Sequence, residues 1–176
     1  MSAYPMTYEQ INMEHSGGTK AYTLILVRTA DGKSLFINKW GKVGAFGELQ
    51  ATPFPTIDAG RKAFDKKERS KTSGGYRQKG PGREVTVENA EQLKNAFGLG
   101  IWSKVGGSNI QHLDPSINVT GMREADPARF DENGNFTGDK PRKAEIDPAE
   151  VEAEKARKLA EQQEKLRAIP NFGRFG

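Results

Sequence analysis

The 176-residue chain contains no cysteine, only two histidines and no long apolar run. Without cysteine it can form no disulfide framework, no thiolate zinc site and no thiol nucleophile. His15 and His112 are far apart in polar surroundings, which argues against a histidine-rich metal site. No segment approaches the roughly 20 apolar residues that span a bilayer, and the start lacks the features of a signal peptide. We therefore expect a soluble intracellular protein, or one carried in a particle assembled there, with no metal or other cofactor.

Large apolar residues are scarce and unevenly distributed. Leu, Ile, Val and Phe together number 34, and 13 of them fall within residues 22–64. Because the net charge of +4 is low, wholesale disorder is not favoured. Residues 1–82 carry 13 basic and 7 acidic side chains, whereas residues 83–176 carry 14 and 16. We expect one compact basic domain near the N-terminus, followed by a long segment with few apolar residues to form a core.

The N-terminal half has the pattern of an antiparallel meander. Residues 22–29 and 34–40 are rich in β-branched and aromatic side chains, which predicts two strands. Asp31-Gly32 between them is a strong hairpin signal, since a type I′ turn needs positive φ. Three regularly spaced glycines favour a second tight connection into a strand near 48–52: Gly41, Gly44 and Gly47.

A helix is predicted after this sheet. Thr56 follows Pro-Phe-Pro as a candidate N-cap for a helix over about residues 57–70. The Gly/Pro-rich stretch 74–82 predicts a domain boundary. Beyond it we expect a strand at 85–87, a short helix ending at Gly98, and a late helix that Asp147 caps.

These signals divide the chain into an N-terminal arm (1–19), a compact domain (20–82), a strand-and-helix extension (83–102), a loop-rich segment (103–146), an amphipathic helix (147–170) and a tail (171–176). The predicted fold class is α+β. A small antiparallel meander has one helix packed across it and is followed by an extended loop-rich region and a lone C-terminal helix.

The segment around Trp40 carries a family signature. It reads N-x-W-G-K-V-G-x-x-G from Asn38 to Gly47, after the Asp-Gly hairpin. Pro-Phe, a helix with alanine and phenylalanine in register, and Lys-Thr-x-x-Gly-Tyr ending at Tyr76 follow in order. Over about residues 20–77 the chain thus resembles a WGR domain, a module of DNA-dependent poly(ADP-ribose) polymerases and of bacterial and phage proteins. Lys42 stands where the motif has arginine, so the charge is kept but the planar bidentate fork is lost.

The resemblance implies a nucleic-acid-binding module, for DNA, for a DNA end, or for RNA. In the polymerases the motif tryptophan packs on a terminal sugar. That role would fall here on Trp40, with Asn38, Lys39 and Lys42 around it and the two lysines near phosphate. Independently, an indole beside ammonium groups can stack on a base, at about 1–3 kcal/mol per base, while the cations bind phosphate. The alternative interpretation is a core tryptophan with lysines on a solvated face.

Further basic residues lie in the predicted helix and just after it. The candidate phosphate contacts there are Arg61, Lys62, Lys66, Lys71 and Arg77. Acidic residues of the same helix could instead pair with several of them.

Signals for other activities are weak. Trp102-Ser-Lys-Val-Gly106 repeats part of the motif, but no Asp-Gly hairpin precedes it, so a second copy stays an open and disfavoured alternative. Gly98-Leu-Gly100 only half matches a dinucleotide loop. We expect no enzymatic activity and no small-molecule substrate.

The predicted C-terminal helix has a narrow apolar line that could bury little by itself. We expect it and the tail to bind a protein partner through Val151, Leu159, Leu166, Phe172, Arg174 and Phe175. This leaves a second function open. The chain could be a structural or assembly component of a viral particle or large complex, with the same fold as a protein-binding platform. No membrane contact is expected.

Overall fold

The structure, a computed structural model, describes residues 2–125. The elements of this part are β1 (Met6–His15), β2 (Lys20–Arg28), β3 (Ser34–Lys42), β4 (Glu48–Phe54), α1 (Ile57–Ser73), β5 (Tyr76–Gln78), β6 (Arg83–Val87), α2 (Ala90–Trp102) and α3 (Gly107–Leu113).

The first four strands form the predicted antiparallel meander, in the order β4-β3-β2-β1. Helix α1 then returns the chain to the far edge of the sheet. There β5 pairs with the C-terminal half of β1, and β6 pairs with its N-terminal half. The prediction of an α+β fold with a meander and a helix across it is confirmed.

The N-terminal arm expected over residues 1–19 is wrong, because this segment contains β1, an interior strand of the sheet. Its side chains alternate between the two faces of the sheet. Tyr8 is buried on one face, whereas Ile11 and Met13 are buried on the other. Because buried positions occur on both faces, each face of β1 is covered in part.

The Gly/Pro-rich segment 74–82, where a domain boundary was expected, does not separate two structural units. This segment carries the chain from α1 into β5 and on to β6, along one edge of β1. Between the two strands, the Lys79 amide still donates to the Asn12 carbonyl at 2.8 Å. Gly80 has a φ of 75°, which suits glycine. The Gly/Pro-rich residues therefore separate two short strands, β5 and β6, that pair with the same edge of β1.

Each face of the sheet is covered by helix. Helix α1 covers one face, where Phe64 is buried against Leu24 and Phe36. Helices α2 and α3 cover the other face, where Ile25 and Ile37 are buried with residues of both helices, including Phe97 and Ile110. The loop-rich segment expected over 103–146 is therefore wrong for its first part, since Gly107–Leu113 is helical and contributes to the core.

The β2–β3 hairpin contains Asp31-Gly32, as predicted, but its loop is wider than a type I′ turn. Arg28 and Ser34 are paired, which leaves Thr29–Lys33 as the loop. The Thr29 amide donates to the Lys33 carbonyl at 3.0 Å, and Gly32 has a φ of 93°. The positive φ at glycine was predictable, whereas the loop length was not.

Helix α1 begins as predicted. The Thr56 Oγ1 atom accepts from the Ala59 amide at 3.2 Å, which satisfies an exposed donor of the first turn. The helix extends to Ser73 and Gly74 caps it, slightly beyond the predicted end. It packs closely on the sheet, since an ideal Cβ at Gly60 would lie 2.1 Å from the Ser34 Oγ atom.

Candidate nucleic-acid interface

The β3–β4 connection fixes the backbone of Trp40. An ideal Cβ at Gly47 would lie 2.1 Å from the Trp40 carbonyl oxygen, and one at Gly41 would lie 2.7 Å from the Gly47 Cα atom. Gly47 also has a φ of 75°. The two segments cross where a side chain would not fit, so the glycine spacing of the motif is a packing requirement.

Trp40 lies at the margin of the core that α1 covers. Its indole is half-buried and stacks on Tyr22, with ring centroids 6.0 Å apart and planes at 16°. Tyr22 contacts Tyr76 edge-on at 5.9 Å. We call these three rings the aromatic cluster. Trp40 is therefore neither a fully buried core residue nor a loosely attached surface ring.

Lys71, from the last turn of α1, lies over this cluster. Its Nζ atom is 4.4 Å from the Tyr22 ring centroid and 5.6 Å from that of Tyr76. Burial lowers the pKa of Lys71, and the charge of Lys67 lowers it further. Burial also raises the pKa of Tyr22, so its hydroxyl stays protonated and able to donate a hydrogen bond at neutral pH. An ammonium group over aromatic faces is a favourable arrangement.

The predicted residues of β3 do not lie on one face. Side chains alternate along a strand, so Asn38, Trp40 and Lys42 point to the α1 face and Lys39 points to the opposite face. Lys42 is exposed at the strand end. The Lys39 Nζ atom lies 4.8 Å from the centroid of Phe46. The structure thus separates Lys39 from the indole that it was predicted to accompany.

Asn38 is an interior residue. It is 6% exposed and lies in register between Leu24 of β2 and Gln50 of β4. Its Oδ1 atom has no hydrogen-bond partner within the part of the chain that the structure describes. A side chain this deeply buried is not accessible to a nucleic acid at the surface.

The basic residues of α1 separate into two groups. Arg61 donates from Nη1 to a Glu9 carboxylate oxygen at 3.0 Å and from Nη2 to the other oxygen, and it lies 3.7 Å from Asp65. The hydrogen bond with Glu9 raises the pKa of Arg61. Lys62 and Lys66, one turn apart, are exposed instead. Arg61 therefore links the helix to β1, and the two lysines are available to a ligand.

Comparison with protein families agrees with this geometry. Residues 4–83 match the family model of the WGR domain. This stretch is a WGR domain. WGR domains in general bind nucleic acid. The match includes β1 and stops at the start of β6, so α2 and α3 lie outside it. No curated protein matches the chain.

Arg77 lies on the edge of the WGR domain. It is exposed in β5 and stands opposite Glu14 of β1 in the ladder. By strand alternation its side chain points away from the face that carries Tyr76. A shallow groove of about 460 Å³ runs beside it, where Lys79 pairs with Glu14. Arg77 is thus accessible but not on the face of the aromatic cluster.

The partial repeat of the motif at Trp102 is not a second WGR domain. Trp40 lies in a strand, whereas Trp102 is the last residue of α2. The Trp102 ring packs in the core, with its centroid 6.1 Å from that of Phe97. The two glycines of α2 have different structural roles. Gly98 kinks the helix with a φ of 72°, and an ideal Cβ at Gly100 would lie 2.6 Å from the Phe46 ring.

Two residues with potential roles were not among the predicted site residues. Arg69 is exposed on α1, one turn from Lys66, and Lys104 lies over Phe46. Arg69 belongs to the basic run of the predicted helix, and Lys104 is the lysine of the partial repeat at Trp102, but nothing in the sequence places Lys104 over Phe46. The predicted partner-binding residues Val151–Phe175 lie outside the described residues. Within residues 2–125, no helix has the length and apolar character needed to cross a membrane.

Proposed function

We propose that this chain is a non-catalytic DNA-binding protein whose WGR domain stacks Trp40 on a sugar or base. The candidate phosphate contacts are Lys42, two residues along the same strand face, and Lys71, which lies over Tyr22. The observation that carries the proposal is the half-buried indole, which stacks on Tyr22 and whose backbone is fixed by the glycine crossing at Gly47. Part of the ring is exposed, so a ligand can reach it without opening the core.

A ring held in this way is suited to stacking. Because Trp40 already packs on Tyr22, it loses little conformational freedom when a ligand covers its exposed part. Stacking of a nucleic-acid base on an aromatic ring contributes about 1–3 kcal/mol. A terminal sugar or base offers an uncovered face for this contact, which is why we propose DNA ends as the preferred substrate.

The charges of α1 support a phosphate backbone beside this ring. Lys62, Lys66 and Arg69 are exposed and spaced about one turn apart along one side of the helix. We call these three residues the α1 ridge. Each cation that neutralises a phosphate releases a counterion, so binding weakens as salt rises. The ridge would give affinity without sequence preference.

The test is fluorescence anisotropy with labelled single-stranded, blunt duplex and nicked DNA across a salt series. We expect salt-dependent binding with a preference for ends, and a loss of about 5- to 150-fold for Trp40→Ala, equivalent to about 1–3 kcal/mol. Trp40→Tyr keeps an aromatic ring and should retain most of the affinity. Lys42→Ala should lower the salt dependence. Equal binding by wild type and Trp40→Ala would contradict the proposal.

A protein-binding platform in an assembly is the second candidate function. It is favoured by Leu99, a large apolar side chain of α2 that is 79% exposed, and by Val43 in the β3–β4 connection, which is 43% exposed. Such side chains commonly mark contact surfaces when they form a patch. If the chain bound no DNA at moderate salt but formed a complex or oligomer that Leu99→Asp abolished, this candidate would replace DNA binding.

A further inference from the structure

Two ammonium groups converge on the ring of Phe46, on the sheet face opposite to Trp40. The Nζ atoms of Lys39 and Lys104 lie 4.8 Å and 4.4 Å from its centroid. The two nitrogens therefore cannot be farther apart than the sum of these distances. They come from distant parts of the chain, Lys39 from β3 and Lys104 from the segment after α2.

The arrangement is held together by packing. Phe46 lies against Gly100, where an ideal Cβ would be 2.6 Å from the ring, so α2 presents a gap that the ring fills. Lys39 is half-buried beside it, where burial lowers the pKa of Lys39 and the charge of Lys104 lowers it further. Within residues 2–125, neither ammonium group forms a salt bridge.

Two like charges beside one ring repel each other, and an anion that contacts both would reduce that repulsion. Each ammonium group has three N–H donors, and a cation–π contact uses only the side that faces the ring. The remaining donors can therefore bind an anion. A phosphate group has the charge and the acceptor oxygens to take up those donors. A carboxylate of the chain does not occupy this position within the described residues.

We infer that Lys39, Lys104 and Phe46 form a phosphate-binding subsite. The inference rests on the proposed DNA binding for its ligand, a backbone phosphate of the strand whose terminal residue meets Trp40. Lys39 and Trp40 are adjacent in β3 but face opposite ways, so a strand passing the end of the sheet can contact both. Lys104 lies outside residues 4–83, and the subsite therefore extends the DNA contact from the WGR domain to the end of α2.

The first test uses the full chain with Lys39→Gln, Lys104→Gln, the double variant and Lys94→Gln as control. Lys94 is exposed on α2, and its substitution removes the same charge at a position away from Phe46. We expect the slope of log affinity against log salt to fall by about 1 in the double variant, as for one lost phosphate contact, and not to change in Lys94→Gln. Equal effects in the double variant and the control would overturn the subsite.

The second test separates a free phosphate from a backbone phosphate. Inorganic phosphate is titrated into the protein and followed by NMR, against sodium chloride at matched ionic strength. The subsite predicts shifts at the Phe46 ring and the Lys104 amide with phosphate alone, which Lys39→Gln abolishes. Absence of these shifts, together with unchanged salt dependence in the double variant, overturns the inference.

Failure of the subsite and failure of DNA binding give different results. If Trp40→Ala weakens DNA binding while the double variant behaves like Lys94→Gln, DNA binding stands and the subsite is overturned. If no DNA binds but inorganic phosphate still shifts Phe46 and Lys104, the phosphate subsite stands and the DNA function is overturned.

Discussion

The backbone carbonyl of Trp40 rests against Gly47, so closely that a Cβ at residue 47 would lie 2.1 Å from the carbonyl oxygen. Gly47 also has a φ of 75°, a conformation that L-residues adopt at a cost. The position of the stacking ring therefore depends on a residue that follows it across the loop. The same loop contains Gly44, with a φ of 82° but no atom within 4 Å of its ideal Cβ.

The two glycines give a matched pair of substitutions. Gly47→Ala should destabilise the protein by about 2–4 kcal/mol, because backbone strain adds to a steric overlap with Trp40. Gly44→Ala should cost about 1–2 kcal/mol, for the strain alone. Urea unfolding followed by circular dichroism measures both. Equal losses for the two variants would show that the Trp40–Gly47 contact does not constrain the loop.

The covering of the second sheet face by α2 can be tested with neighbouring residues. Phe97 is 4% exposed and Leu99 is 79% exposed in the same helix. Phe97→Ala should cost about 3–5 kcal/mol, because it leaves a cavity against Tyr8 and the rest of this core. Leu99→Ala should change stability by less than about 0.5 kcal/mol. If Phe97→Ala were as mild as its control, α2 would not belong to the core.

The two kinds of basic residue in α1 predict opposite phenotypes. Arg61→Gln should lower stability by about 1 kcal/mol, since it removes the pair with Glu9, and should leave DNA affinity nearly unchanged. Lys62→Gln should leave stability unchanged and lower the salt dependence of DNA binding. Thermal unfolding and anisotropy on both variants decide this. A loss of DNA affinity in Arg61→Gln with intact stability would restore Arg61 to the interface.

Because the pKa of Lys39 is lowered, we expect the stability of the folded state to depend on pH in the alkaline range. Burial lowers its pKa below the ordinary value of 10.5, and Lys104 contributes to the shift. Between the lowered and ordinary pKa values the folded state binds fewer protons than the unfolded state, so stability should rise with pH through this window. NMR titration of the Nζ signals should show the pKa of Lys39 moving part of the way back up in Lys104→Gln. An unchanged pKa would separate the two lysines.

The local signals of the sequence predicted a large part of the fold. Strands β2, β3 and β4, the Asp-Gly hairpin and the Thr56 cap each depend on residues close together in the chain. Such features follow from side-chain alternation, turn residues and capping, all of which can be seen in a short window. The loop length at Thr29–Lys33 depended on pairing across the hairpin and could not be obtained in this way.

The elements that were missed are those stabilised by distant contacts. Strand β1 alternates Tyr8, Ile11 and Met13 with polar residues, a weak pattern until β2, β5 and β6 pair with it. Helix α3 is short, and its apolar residues are recognisable as core residues only once they pack on the sheet. Propensity alone rarely determines such elements, because tertiary contacts supply most of their stability.

The motif identifies the centre of the candidate site from sequence, whereas the contacts of the surrounding residues depend on the fold. Trp40 and Lys42 follow from the motif itself, and period-two alternation could have placed Lys39 on the other face. The pairing of Arg61 with Glu9 could not be predicted, because it depends on the position of β1. The position of Lys104 over Phe46 likewise depends on how α2 crosses the sheet.

The central claim is that the Trp40 indole meets DNA directly. Trp102→Phe keeps a ring beside Phe97 and leaves Trp40 as the single tryptophan of the chain. Its emission should be quenched on titration with a blunt duplex carrying no label, over the same concentrations at which anisotropy shows binding. Lys42→Ala in this background should shift the titration without changing the final quenching. DNA binding with unchanged Trp40 emission would contradict the account.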